Sequence, residues 1–189
     1  TFALEAAMMA LDIAPGIGRS FGFEKLSTFE IKSWHRIRTM AEQRRGRTPD
    51  LKIYASDIDP AQVANARANL AAAGIEDLIH FDEGDFVTLE APAEEGVIVT
   101  NPPYGVRLGD EEELLAWYPQ LGDHLKRAFA GWRAYLFTGD PELPKRIGLK
   151  ASRRTPLMNG DIECRLLEYR IVAGSNREGH KAGDSGLQP

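Results

Sequence analysis

Short apolar runs alternate along this chain with longer segments of helical spacing, and that alternation constrains the fold more than any other feature. Leu51 to Ser56, Leu78 to Phe81, Gly96 to Thr100 and Arg133 to Thr138 read as strands, with Val97-Ile98-Val99 the most apolar of them. Between the first two, Asp59 is a good N-cap and Pro60 suits the first helical position. Val63, Ala66 and Leu70 then face inward, and Gly74 stops the helix after Ala73. Strands joined through helices need right-handed crossovers. The pattern therefore predicts an α/β fold with a mostly parallel sheet covered by helices on both faces.

The flanking segments complete that plan. Thr1 to about Ile13 reads as a buried helix carrying Leu4, Met8 and Leu11 at helical spacing, ended by Pro15-Gly16. A second helix is predicted from Ser27 to Arg44, with Phe29, Trp34, Ile37 and Met40 inward and basic residues outward. Asp110 opens a third whose apolar stripe is Leu114, Tyr118, Leu121, Leu125 and Ala128, and Pro119 is expected to kink or divide it. A short helix follows at Pro141 to Ile147. The chain then reads as a C-terminal antiparallel hairpin with arms Leu149 to Leu157 and Ile162 to Val172, joined through Asn159-Gly160. Residues 1–172 are thus expected to form one domain, with 173–189 a polar, disordered tail.

Composition narrows the function classes. No apolar run approaches the roughly 20 residues that span a bilayer, and no signal-peptide pattern opens the sequence. Cys164 is the only cysteine, and the scattered His35, His80 and His124 resemble no metal site, so no metal is expected and the cytoplasm is the expected compartment. The net charge is −5, yet Lys32, Arg36, Arg38, Arg44, Arg45 and Arg47 are opposed between them only by Glu42. A polyanion could dock on that patch, and a solvated helix face would carry the same charges.

In parallel sheets ligands bind beyond the carboxyl ends of the strands, and three strands here end in polar residues. The first gives Ser56-Asp57-Ile58-Asp59. The Asp57 carboxylate could accept from the two hydroxyls of a ribose and Ile58 could pack on an adenine face, Asp59 being the better helix cap. The next gives Gly84-Asp85-Phe86, where the Asp85 carboxylate could accept an adenine amino group and the Phe86 N–H could meet a ring nitrogen, although an aspartate also serves plain turns. The third gives Asn101-Pro102-Pro103-Tyr104. The Asn101 side-chain oxygen and the Pro102 carbonyl could each accept one N–H of an exocyclic amine, drawing its nitrogen toward tetrahedral geometry and freeing the lone pair to attack an electrophilic carbon. The prolines stiffen the turn and Tyr104 offers a stacking surface; the bland reading is a proline turn with a packed tyrosine. Spacings of 28 residues from Asp57 to Asp85 and 16 from Asp85 to Asn101 suit consecutive strand–helix–strand units.

Taken together, Thr1-Phe2-Ala3-Leu4-Glu5-Ala6-Ala7, Ala14-Pro15-Gly16, Ser56 to Pro60, Gly84-Asp85 and Asn101-Pro102-Pro103-Tyr104-Gly105 resemble the class I S-adenosylmethionine-dependent methyltransferases. More narrowly, the chain up to about residue 172 resembles the THUMP-associated guanine-N2 methyltransferases of 23S, large-subunit ribosomal RNA. The resemblance implies a Rossmann-like fold with S-adenosylmethionine as cofactor, held by Thr1, Phe2, Asp57, Ile58, Asp85, Phe86 and Asn101. It implies Asn101, Pro102 and Tyr104 as catalytic residues, with Pro103, Tyr104 and Gly105 receiving the target base. It implies ribosomal RNA as partner, a THUMP domain earlier in a longer parent chain, and a strand with an Asp-Pro-x-Cys-Gly-Ser-Gly loop before Thr1. Neither of the last two stands in these 189 residues. The same tetrapeptide chemistry would serve adenine-N6 methylation of DNA or RNA, and without the glycine-rich loop a non-catalytic RNA-binding module is the reading from another class.

Overall fold

In the computed structural model, residues 1–46, 52–103 and 111–173 are described. The chain packs as two compact units that divide after Asp85.

In the first unit, α1 (Phe2–Ala10), α2 (Ile31–Arg44), β1 (Ile53–Asp57), α3 (Pro60–Ala73) and β2 (Ile79–Glu83) follow in order, and β1 and β2 pair in parallel with Ile53 opposite Ile79 and Asp57 opposite Glu83. The crossover helix α3 forms as its sequence requires. Asp59 Oδ1 accepts from the Ala61 N–H at 2.8 Å, Pro60 opens the first turn, and Gly74 closes the helix at φ 63°. Val63 and Leu70 are its buried residues, and Leu70 joins Ala7, Leu11, Ile75 and Ile79 in one core, with Leu4, Met8, Ile53, Ala55 and Phe81 packed against it.

Two expectations fail in this unit. The first helix stops at Ala10 rather than Ile13, because Asp12 takes a left-handed conformation (φ 50°). Its N–H donates to the Met9 carbonyl at 3.1 Å and the Ile13 N–H to the Met8 carbonyl at 2.8 Å, a glycine-free version of the common helix stop. The second helix starts at Ile31, after a short 3₁₀ turn over Gly22–Lys25, and buries none of its residues. Ile37 and Met40, expected inward, are 55% and 58% exposed. The edge that docks keeps the expected Trp34 and adds Arg38 and Ala41. Trp34 meets the Phe21 and Phe23 rings edge-on, and Arg38 donates to the Ile17 carbonyl at 2.8 Å.

The second unit is built on a four-stranded sheet in the order β3 (Val97–Thr100), β4 (Arg133–Thr138), β6 (Ile162–Arg170), β5 (Arg153–Asn159). β3 and β4 are parallel; β6 runs antiparallel to both β4 and β5, which places the expected antiparallel hairpin at the C-terminal side. Asn159 pairs with Ile162, so the hairpin turns on Gly160-Asp161 rather than Asn159-Gly160, with Gly160 supplying the positive φ of 60°. The helix α4 (Glu111–Ala128) lays Tyr118, Leu121 and Leu125 into a core shared with Phe129, Trp132, Leu136, Leu167 and Tyr169, alongside the short α5 (Leu143–Arg146).

Pro119 neither ends nor divides α4. The proline is exposed, and the buried Tyr118, Leu121 and Leu125 carry the helix past it. In β3, of a sheet expected to be covered on both faces, Val97 and Val99 are 59% and 49% exposed while Ile98 packs on the core. Among the described residues β3 pairs with β4, and alternate residues leave by opposite faces. The predicted polar tail, from 174 on, lies outside the described residues.

Candidate active site

The carboxyl ends of β1 and β2 bring three of the expected cofactor residues together. Asp57 is the last residue of β1, and its carbonyl accepts from the Gly84 N–H at 3.0 Å, which clamps the Gly84-Asp85 turn beside the Asp57-Ile58 turn. One oxygen of the Asp57 carboxylate accepts from the Asp59 N–H at 3.0 Å and so fixes the side chain; Asp59 itself caps α3, as the sequence suggests. Between the two acids Ile58 is 67% exposed. An exposed branched apolar side chain beside a half-buried carboxylate offers one apolar and one hydrogen-bonding surface, a fit for a planar ring joined to a sugar. Asp85 is half-buried. Thr1 and Phe2 begin α1: Thr1 is exposed at the N-cap without a side-chain cap bond, and Phe2 is 46% exposed.

The second unit carries the rest. Phe86 opens a short 3₁₀ turn, and its ring goes into the core, stacked on Phe129 at 5.4 Å and edge-on to His124. Any ligand contact is thereby left to its backbone. Asn101 follows β3 directly and is exposed, whereas Pro102 is buried and Pro103 half-buried. The exposed amide thus stands on an anchored, rotation-poor base. Tyr104 and Gly105 lie outside the described residues.

What holds that base was not read from the sequence. Tyr118, in the middle of α4 and fully buried, donates its hydroxyl to Asp140 Oδ2 at 2.6 Å and lies 3.4 Å from the Pro103 carbonyl. Asp140 is fixed in turn: its N–H donates to the Thr138 hydroxyl at 3.0 Å, and its Oδ1 accepts from the Glu142 N–H at 2.7 Å. Burial first, and then the bond to Asp140, pushes the Tyr118 phenol well above its ordinary pKa, so it stays a neutral donor. The signal was available, since Asp140 sits just past the carboxyl end of β4, where functional polar residues collect. Among the described residues no group of three or more His, Cys, Asp or Glu is placed to hold a metal, and no helix is long and apolar enough to cross a membrane.

Parallel β–α–β pairing with polar turns at the carboxyl ends of the strands, and a C-terminal antiparallel pair, is the architecture of the Rossmann-like methyltransferases, and solved structures of that class match it. One, a protein assigned as a methyltransferase and complexed with SAH, is 28% identical with a TM-score of 0.83 over 92% of this chain and 46% of its own. A candidate methylase from Clostridium difficile 630 is 33% identical with a TM-score of 0.82, again over 92% of this chain and 46% of its own. A third, from Listeria monocytogenes str. 4b F2365, is described as a predicted N6-adenine-specific DNA methylase; it is 32% identical with a TM-score of 0.77, over 89% of this chain and 43% of its own. The chain belongs to the RMKL-like methyltransferase domain family, whose model matches residues 1–168. Among curated relatives, the ribosomal RNA large subunit methyltransferase K/L of Shewanella sp. strain ANA-3 is 43% identical over 181 residues, and that of Shewanella baltica strain OS155 is 42% identical over the same length. The match covers 94% of this chain but only 25% and 26% of those relatives, so the chain spans about a quarter of their length.

Proposed function

We propose that this domain methylates the exocyclic N2 of a guanine in large-subunit ribosomal RNA, with S-adenosylmethionine as methyl donor. The observation that carries the reading is the exposed Asn101 at the carboxyl end of a parallel strand, set on the buried Pro102. Membership of a methyltransferase family and the names of the K/L relatives support it. The cofactor, when bound, supplies a methyl group on an electron-poor sulfonium.

Every other part of the chemistry falls to residues of this chain. The Asn101 side-chain oxygen and the Pro102 carbonyl accept the two N–H groups of the amine, which frees the nitrogen lone pair from the ring. Pro103, Tyr104 and Gly105 receive the base, Tyr104 by stacking. Asp57 takes ribose hydroxyls, Ile58 and the Phe86 N–H take the adenine, Asp85 takes its amino group, and Thr1 and Phe2 flank the methionine part. No strong base is needed, because the proton becomes acidic once the nitrogen carries a fourth substituent. The guanine must leave its stack, at a cost of a few kcal/mol that is smaller in an unpaired loop.

Asn101→Ala in the intact protein is expected to lower methyl transfer by at least about a hundredfold while cofactor affinity measured by calorimetry stays within roughly twofold. Unchanged transfer would refute the role of Asn101. A second reading, adenine-N6 methylation, is favoured by the description of the Listeria neighbour. Mass spectrometry of the methylated nucleoside separates the two, since N2-methylguanosine and N6-methyladenosine differ in mass. Absence of any S-adenosylmethionine binding by the intact protein would favour a non-catalytic RNA-binding module.

A further inference from the structure

The α2 helix is fastened along one edge and leaves the rest of its surface bare. Besides Trp34 and Arg38, the fastening uses Arg44, whose guanidinium donates to both oxygens of Asp12 at 2.6 and 2.9 Å, and the Gly46 N–H, which donates to the Leu11 carbonyl at 2.9 Å. On the opposite side Lys32 and Arg36 stand one turn apart, both exposed, and neither has an ionic or hydrogen-bonding partner among the described residues. Arg38 and Arg45 give their hydrogen bonds to backbone carbonyls, of Ile17 and Gly74, and therefore keep their charge unneutralised. Of the nearby acids, Asp12 is taken by Arg44, Glu24 accepts from the Phe21 N–H at 2.7 Å and keeps its charge, and Glu30 and Glu42 belong to α2 and its N-cap. Beside the cations, Ile37 and Met40 are more than half exposed.

A chain with a net charge of −5 thus carries on α2 and its caps Lys32, Arg36, Arg38 and Arg45 against Glu30 and Glu42, a local excess of positive charge flanked by apolar side chains. That pairing of cations with apolar surface matches a single-stranded polyanion that carries flat bases, not a neutral or acid-poor protein face. We infer that the outer face of α2 docks RNA outside the nucleotide being modified. Lys32 and Arg36 meet phosphates while Ile37 and Met40 lie against riboses or unstacked bases. This rests on the reading of the domain as an RNA methyltransferase and adds to it a surface that does no chemistry.

The test is equilibrium binding of protein-free large-subunit ribosomal RNA to the intact protein at several salt concentrations, for wild type and Lys32→Gln/Arg36→Gln. Loss of two phosphate contacts is expected to weaken binding roughly tenfold at low salt and to flatten the slope of log K against log salt by about 1.4, at about 0.7 per contact. Turnover at saturating RNA and cofactor affinity are expected to stay as in wild type, which also shows that the variant is folded. An unchanged slope overturns the inference. So does the converse pattern, in which Ile37→Ser/Met40→Ser abolishes association with a protein partner while the glutamine pair binds RNA normally, since it assigns the face to a protein. A normal salt-dependent difference in binding with no methyl transfer by wild type would instead count against the proposed activity and leave the docking surface standing.

Discussion

Two helices of this chain look alike on paper and behave as opposites. Both α2 and α4 carry apolar residues at helix-like intervals, yet α4 buries Tyr118, Leu121 and Leu125 almost completely and α2 buries nothing. The difference lies in how the apolar residues are distributed around the axis. In α4 the residues at 114, 118, 121, 125 and 128 form one narrow stripe that faces a sheet. In α2 the residues at 34, 37 and 40 drift around the helix by about 60° at each step of three, so no single face can bury them all. Docking then falls to the aromatic edge of Trp34 and to polar fastenings that a hydrophobic pattern does not register.

The largest expected effect comes from the interior of α4. Gly122 is buried, and a Cβ added there would sit 1.7 Å from the Ile147 carbonyl oxygen, at the crossing with the segment that ends α5. A backbone atom cannot swing aside as a side-chain tip can. Gly122→Ala is therefore expected to cost more than about 4 kcal/mol, beyond ordinary overpacking, and to leave little folded protein. Circular dichroism melts check it. A variant that melts within a few degrees of wild type would mean that α4 and the α5 segment slide apart readily, which would erase the contrast drawn with α2.

A smaller effect sharpens the same contrast through pH. The ionisable groups of α2 other than Arg38 are exposed, whereas the core under α4 holds two buried phenols. Tyr118 has Asp140 as its partner; the Tyr169 hydroxyl has none among the described residues. Burial pushes Tyr169 up to about 12, against a slight opposing pull from Arg154. The neutral form is thus the folded form: the stability it confers is complete below about pH 10 and is lost as pH rises toward 12. Tyr169→Phe is expected to be neutral or stabilising near pH 7, since an unpartnered hydroxyl is removed from the core, and to recover at most about 2 kcal/mol of the wild-type loss at pH 12. Urea titrations at both pH values measure it. Equal alkaline losses in the two proteins would show that Tyr169 reaches water.

Much of this was legible in advance, and the reasons are local. The turn of α3 at Asp59-Pro60, its buried Val63 and Leu70 and its stop at Gly74 depend on neighbours within a few residues, and all took the places expected. The end of β3 just before Asn101 was readable because rigid prolines follow an apolar run. What escaped notice depends on distant partners. The 22 residues between Tyr118 and Asp140 are closed only by folding α4 against the end of β4, so a phenol read as one more core residue became a support for Pro103. Likewise the helix stop at Asp12 is reinforced by Arg44, 32 residues away.

The smallest effect is the most telling about α2. If its outer face exists to meet RNA and contributes nothing to packing, removing its apolar groups should leave the fold alone. Ile37→Ser and Met40→Ser each delete a side chain that is more than half exposed, and the isolated domain should change in stability by no more than about 0.5 kcal/mol per site. Serine is only slightly poorer than methionine as a helix former and comparable to isoleucine, so propensity does not mask the result. Denaturant melts of the two variants against wild type check it. A loss of 2 kcal/mol or more at either site would mean that α2 is packed in solution as α4 is, and the bare face would then belong to the protein's own interior.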